Sequence, residues 1–89
     1  MNKIIIRASQ VVGGQATLAG AVGVSPSALN QWVMGRRPVP PERCPAIERA
    51  TRGIVPVEEI RSDITWIRVR DRKWPHPEGR PCIDVVVDA

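Results

Sequence analysis

Ser27, Asn30 and Gln31 share one side of any helix drawn through them, and all three side chains can hydrogen-bond. Asn and Gln can bond an adenine bidentately through its ring nitrogen and exocyclic amine, and a serine hydroxyl adapts to donor or acceptor. Ser27 and Gln31 lie one turn apart, so they would reach neighbouring base pairs. Ala28 and the Pro26 ring beside them can meet a thymine methyl. Leu29, Trp32 and Val33 gather on the opposite side, which gives the helix a face to bury. Arg36 and Arg37 follow at once, where guanidinium groups can neutralise phosphates and make binding salt-dependent. Gln15, at the start of the preceding helix, can set its side chain and backbone amide against another phosphate. Taken singly, each amide is an ordinary polar residue on a surface helix, and the arginine pair could simply solvate a connector. The constellation, with its turn, cap and basic flank, is what points to a major groove.

The elements that must position these groups are legible around them. Asn2 can cap a first helix, whose apolar face is Ile4, Ile5, Ala8, Val11 and Val12 and whose end is Gly13-Gly14. A second helix spans Gln15 to Val22 with Leu18, Ala19 and Val22 inward, and Gly23 supplies the turn. Ser25 as N-cap and Pro26 at the first helical position open the third helix, which should stop at Gly35. That capping role accounts for Ser25 without any nucleophilic chemistry. Arg36 to Pro41 is a stiff, proline-rich connector. A fourth helix runs up to Thr51 with Ala46, Ile47 and Ala50 inward, beginning with a loose turn and becoming regular after Pro45. Pro56 starts a short fifth helix in which Glu58 and Glu59 favour the positive end of the dipole and Ile60 is the anchor. Beyond Asp63, Trp66 to Arg70 alternates and Cys82 to Val87 is β-branched, so two strands joined by a long loop are expected; opposed pairs such as Arg68 or Arg70 with Asp84 could help, but the sequence does not set the register. Trp32 reads as core, whereas Trp66 and Trp74 either cover the helices or face a partner.

Composition narrows the class. Eighty-nine residues, 43% of them hydrophobic, make one small folded unit, and a 3% aromatic share leaves core filling to aliphatic side chains. The net charge of +4 has a location: up to Cys44 there are Lys3, Arg7, Arg36, Arg37 and Arg43 against Glu42 alone, and from Pro45 onward eight bases meet eight acids. Cys44 and Cys82 stand far apart, and no CxxC or HxxxH spacing accompanies His76, so neither a metal nor a cofactor is expected. The glycines do not make a phosphate-binding loop, and paired carboxylates do not share a helical face, which argues against an enzyme. Ile4 to Ile6 is too short an apolar run for a signal peptide or membrane span, so a cytoplasmic location in a bacterial host, beside the nucleoid, is expected.

QATLAGAVGVSPSALNQWVMGRR followed by PPERCPAIERATRG resembles the Cro-like helix-turn-helix regulators of phages and prophages, in particular the YdaS-type group of repressors or antitoxins. The resemblance covers Lys3 to Trp66. It implies a mainly α, compact five-helix, lambda-repressor-like domain over residues 1–63, followed by a C-terminal β-hairpin or extended tail over 64–89 that can serve dimerisation. It further implies a homodimer on palindromic operator DNA, with base contacts falling on Pro26, Ser27, Ala28, Asn30 and Gln31 and phosphate contacts on Gln15, Arg36 and Arg37. The alternative it carries is an antitoxin that binds a toxin protein and autoregulates its operon. The TRGIV segment departs from the usual glycine-rich turn and threonine cap of such proteins, which blurs the start of the fifth helix.

Overall fold

The Asn2 side chain accepts from the Ile4 and Ile5 amides at 3.1 and 3.2 Å and so starts α1, Lys3–Val12. This computed structural model describes residues 1–83. Gly13, at φ 97°, ends α1, and α2 (Gln15–Val22) follows after Gly14. Gly23 (φ 81°) and the Val24 amide both close onto the Ala19 carbonyl, and this turn leads to α3, Pro26–Val33. A 3-10 turn (Pro41–Arg43), α4 (Cys44–Ala50) and α5 (Val57–Ile60) complete the helical layer. Then β1 (Trp66–Val69) and β2 (Arg80–Ile83) pair antiparallel, with Trp66 opposite Ile83 and Val69 opposite Arg80. Among the described residues the fold is mainly helical, five α-helices and a two-stranded hairpin, as the sequence implied.

A single apolar core joins the helices. Ile5 and Ala8 of α1, Leu18 and Ala19 of α2, Leu29 and Val33 of α3 and Ile47 of α4 are all buried, as are Val55 and Val57. Several expectations shift. Val11 faces solvent and Ser9 is buried in its place, its hydroxyl donating to the Ile6 carbonyl at 2.7 Å. Regular helix begins one residue before Pro45, not after it, because proline in the first turn lacks only an amide hydrogen that would have no partner there. The inward face of α4 is Cys44, Ile47 and Glu48 followed by Thr51, so Ala46 and Ala50 are only half-buried. The cause is the hairpin, which brings a cation and an indole to Glu48.

The second strand begins at Arg80, two residues earlier than its β-branched run suggests, and Arg68 stands opposite Pro81 rather than Asp84. The expected continuation through Val87 and the Asp84 side chain lie outside the described residues. Proline fits here because a two-stranded sheet leaves one side of each strand without ladder partners. Val39, in the proline-rich connector, is buried in the core, and Arg61 donates to its carbonyl at 2.9 Å. The connector is therefore fastened to the body at its middle. Arg61 is held in turn by Asp63 at 2.8 Å, which lowers the Asp63 carboxyl to about 2.

Candidate nucleic-acid interface

Helix α3 is held at both ends. The Ser25 hydroxyl accepts from the Ala28 amide at 3.1 Å, and the Leu29 amide donates to the Ser25 carbonyl at 3.1 Å, closing the first turn. At the other end, the Asn2 amide donates to the Val33 carbonyl at 2.8 Å, which fastens α1 to the last turn of α3. Leu29, Trp32 and Val33 are buried, and this inner row fixes the rotation of the helix about its axis. What remains outside is the polar row: Pro26, Ser27 and Asn30 are exposed, and Ala28 and Gln31 are half-buried.

Arg36 and Arg37 are placed relative to that row through the backbone. Their amides both donate to the Gln31 carbonyl, at 3.0 and 3.3 Å, around Gly35 at φ 74°. Both arginines are exposed, and Gln15 at the start of α2 is exposed too. Gln31 and Arg37 line one shallow groove with Ala28, Pro38, Glu42 and Arg43. The structure thus brings Ala28, Gln31 and Arg37 to one surface, while Gln15 reaches solvent from a separate element. Arg43 was not among the site residues expected from sequence. Its Nη1 donates to the Val22 carbonyl at 3.4 Å, so it lies between the turn and the groove. The basic character of the segment up to Cys44 was the available signal for it.

A second cluster ties the hairpin to the helices. Glu48 is fully buried, and its carboxylate accepts from the Val57 amide (3.1 Å), Arg68 Nη1 (3.0 Å), Arg68 Nη2 and Trp74 Nε1 (2.6 Å). Arg68 also reaches Glu58 through Nε (3.1 Å) and Nη2 (2.7 Å), and the Gly79 carbonyl through Nη1 (2.8 Å). These five bonds use every N–H of the guanidinium. Burial disfavours the ionised form of Glu48, but the bonds from Arg68, Trp74 and Val57 outweigh it and hold the carboxyl below its ordinary value of 4.5. Arg68 also lowers the Glu58 carboxyl. Glu48, Glu58 and His76 present ligand-type atoms within 4.8 Å of one another. Both Glu48 oxygens are already doubly engaged, so a cation would have to displace Arg68; the cluster is a clamp between elements, not a metal centre. Cys44 and Cys82 are free, and burial pushes the Cys44 thiol up to about 12, which keeps it protonated and inert at neutral pH. Among the described residues, no helix is long and apolar enough to cross a membrane.

An outward polar row on the second helix of a tight helical pair, within a five-helix body and ahead of a short hairpin, defines a Cro-like helix-turn-helix protein. Residues 5–69 match the family model described as "Bacterial toxin YdaS", and the chain belongs to that family. It is 58% identical over 64 residues to the "Putative transcriptional regulator YdaS" of Escherichia coli (strain K12); this match takes in 72% of the chain and 65% of the relative. The aligned part thus spans just under two thirds of that relative's length. Among solved structures, the chain is similar to the "Cro protein from putative prophage element Xfaso 1 in Xylella fastidiosa strain Ann-1". The two are 42% identical with a TM-score of 0.65 over 73% of this chain and 97% of that one.

Proposed function

We propose that the chain is a non-catalytic, sequence-specific DNA-binding regulator of transcription, a repressor of Cro type that acts as a dimer on a palindromic operator. Residues 1–63 form the DNA-binding part and 64–89 a dimerisation element. Helix α3 enters the major groove, where Pro26, Ser27, Ala28, Asn30 and Gln31 meet base edges. Gln15, Arg36 and Arg37 hold phosphates. Two copies would set their α3 helices into successive major grooves about 34 Å apart, and occupancy of a promoter would exclude polymerase. The observation that carries this reading is the coupling at Gln31. Its side chain belongs to the outward row while its carbonyl holds the amides of Arg36 and Arg37. A base-reading group and two phosphate-binding groups therefore move as one unit.

The test is selection of bound fragments from random duplex DNA, followed by salt titrations on the recovered sequence. Gln31→Ala should cost about 1–3 kcal/mol and relax preference at one or two base pairs. Arg37→Ala should weaken all sequences alike and lower the salt slope by about 0.9. A Gln31→Ala loss that is equal on every sequence would remove α3 from base reading. A second reading is an antitoxin that neutralises a toxin protein and represses its own operon; the family description names a toxin and so links the family to toxin biology without saying which role this chain takes. Co-expression with adjacent open reading frames separates the two, since only an antitoxin relieves the growth arrest caused by a neighbouring product. Either role places the protein with the DNA of a bacterial cytoplasm.

A further inference from the structure

The groove beside α3 does not end at α3. It shares Glu42 with a second depression, lined by Ala21, Pro45, Ala46, Arg49 and Trp74, and that one shares Arg49 and Trp74 with a third at Asp71, Lys73 and Arg80. Shared lining residues thus link the three depressions in series, a track from Gln31 to the hairpin. Along it stand Arg37, Arg43, Arg49, Lys73 and Arg80, and among the described residues none of these cations is in an ion pair. Two acids face the track, Glu42 and Asp71, and the Asp71 carboxylate accepts from the Lys73 amide at 2.9 Å. Glu48 and Glu58, which meet the hairpin, are taken up by Arg68, while Glu78, two residues before Arg80, is exposed and in no ion pair among the described residues. Among the described residues, the positive charge of the track thus exceeds what internal pairing takes up.

We infer that this track is a second phosphate-binding surface, in which Arg49, Lys73 and Arg80 hold the backbone of duplex DNA flanking the segment read by α3. The chemistry is set by Trp74. Its indole N–H is fixed on Glu48 at 2.6 Å, and the Arg49 guanidinium lies over its ring, 5.9 Å from the centroid. At this distance the guanidinium is attracted to the indole face, and among the described residues its donors have no acceptor, which leaves them for a phosphate. Lys73 and Arg80 are exposed on the same depression. The hairpin, fastened to α4 through Glu48, would carry these cations as a rigid extension of the helical body.

This inference rests on the DNA-binding reading, and the experiment separates the two. The probe is one half-site of the duplex recovered by selection, prepared with flanks of about 10 base pairs on either side and with the flanks trimmed away. The variant is Arg49→Gln with Lys73→Gln and Arg80→Gln, all at exposed positions, its fold checked by circular dichroism and thermal melting. On the flanked duplex the triple variant should lower the salt slope by about 1.8–2.7, corresponding to two or three phosphates, and shorten the hydroxyl-radical footprint. On the trimmed duplex wild type and variant should bind alike, and preference for the selected sequence over a scrambled one should be unchanged. An unchanged slope and footprint, with Gln31→Ala still relaxing specificity, overturns the track alone. If the wild type shows no preference for any duplex, both readings fall.

Discussion

At the scale of single residues, Arg68 and Glu48 carry the most consequential contact outside the interface. Their side chains are 7% and 0% exposed, and Glu48 has no other cationic partner among the described residues, so removing Arg68 strands the Glu48 charge in the interior. Arg68→Met should destabilise the protein by about 3–5 kcal/mol at neutral pH. The pH dependence gives this a signature. In the wild type the Glu48 carboxyl lies below its ordinary value of 4.5, so its stabilising effect is complete above about 4.5 and is lost as pH falls through the lowered value. Without the guanidinium, burial dominates and raises that carboxyl, so acid favours the folded variant by letting Glu48 take up a proton. Urea denaturation of both proteins at about pH 7 and about pH 4 should show the gap narrowing in acid. A gap that does not change with pH would mean that Glu48 is not the group left uncompensated.

At the scale of elements, the parts readable from sequence are those whose signals are local. Asn2, Gly13, Gly23, Ser25 and Pro26 act within one turn of themselves, and the bounds they imply for α2 and the start of α3 are the observed ones. Glu48 was not legible in this way, because its burial depends on Arg68 and Trp74 arriving from 20 and 26 residues away. One clue was present: Cys44, Ile47, Glu48 and Thr51 recur at i, i+3, i+4 and i+7, a core register with an acid in it. The start of β2 was hidden for a similar reason. Pro81 and Arg80 look like loop residues until Val69 and Arg68 are set opposite them. Gly79 makes this junction possible. It sits at φ +101°, and any Cβ there would collide with the Val69 carbonyl, while its own carbonyl accepts from Arg68. Gly79→Ala should therefore cost at least about 1–3 kcal/mol. Gly20, in mid-helix with nothing near its missing Cβ, is the contrast, and Gly20→Ala should stabilise by about 0.5–1 kcal/mol. Thermal melts of the two variants should move in opposite directions; a neutral Gly79→Ala would show that the hairpin base can relax.

At the scale of the whole molecule, the hairpin is part of the folding unit and also the proposed seam between copies, and the two roles fall on its two faces. Toward the helices it presents Arg68, with Trp66 packed against the core and its indole N–H donating to the Arg61 carbonyl at 3.0 Å. Toward solvent it presents Ile67 and Val69, 46% and 44% exposed. Deleting the hairpin would strip Arg68 and Trp74 from Glu48 and unfold the helices, so truncation cannot test dimerisation. Ile67→Gln with Val69→Gln separates the roles, because both side chains point away from the clamp and the change places no acid beside Arg80, which stands opposite Val69. Stability should stay within about 0.5 kcal/mol of the wild type, as for exposed substitutions in general. If the outer face is the seam, sedimentation should show the wild type as a dimer and the variant as a monomer. Affinity should then drop on a duplex with two half-sites and stay unchanged on a duplex with one, because each α3 is untouched and only the linkage between copies is lost. A variant that still sediments as a dimer would move the seam to another surface and leave Ile67 and Val69 without a role in assembly.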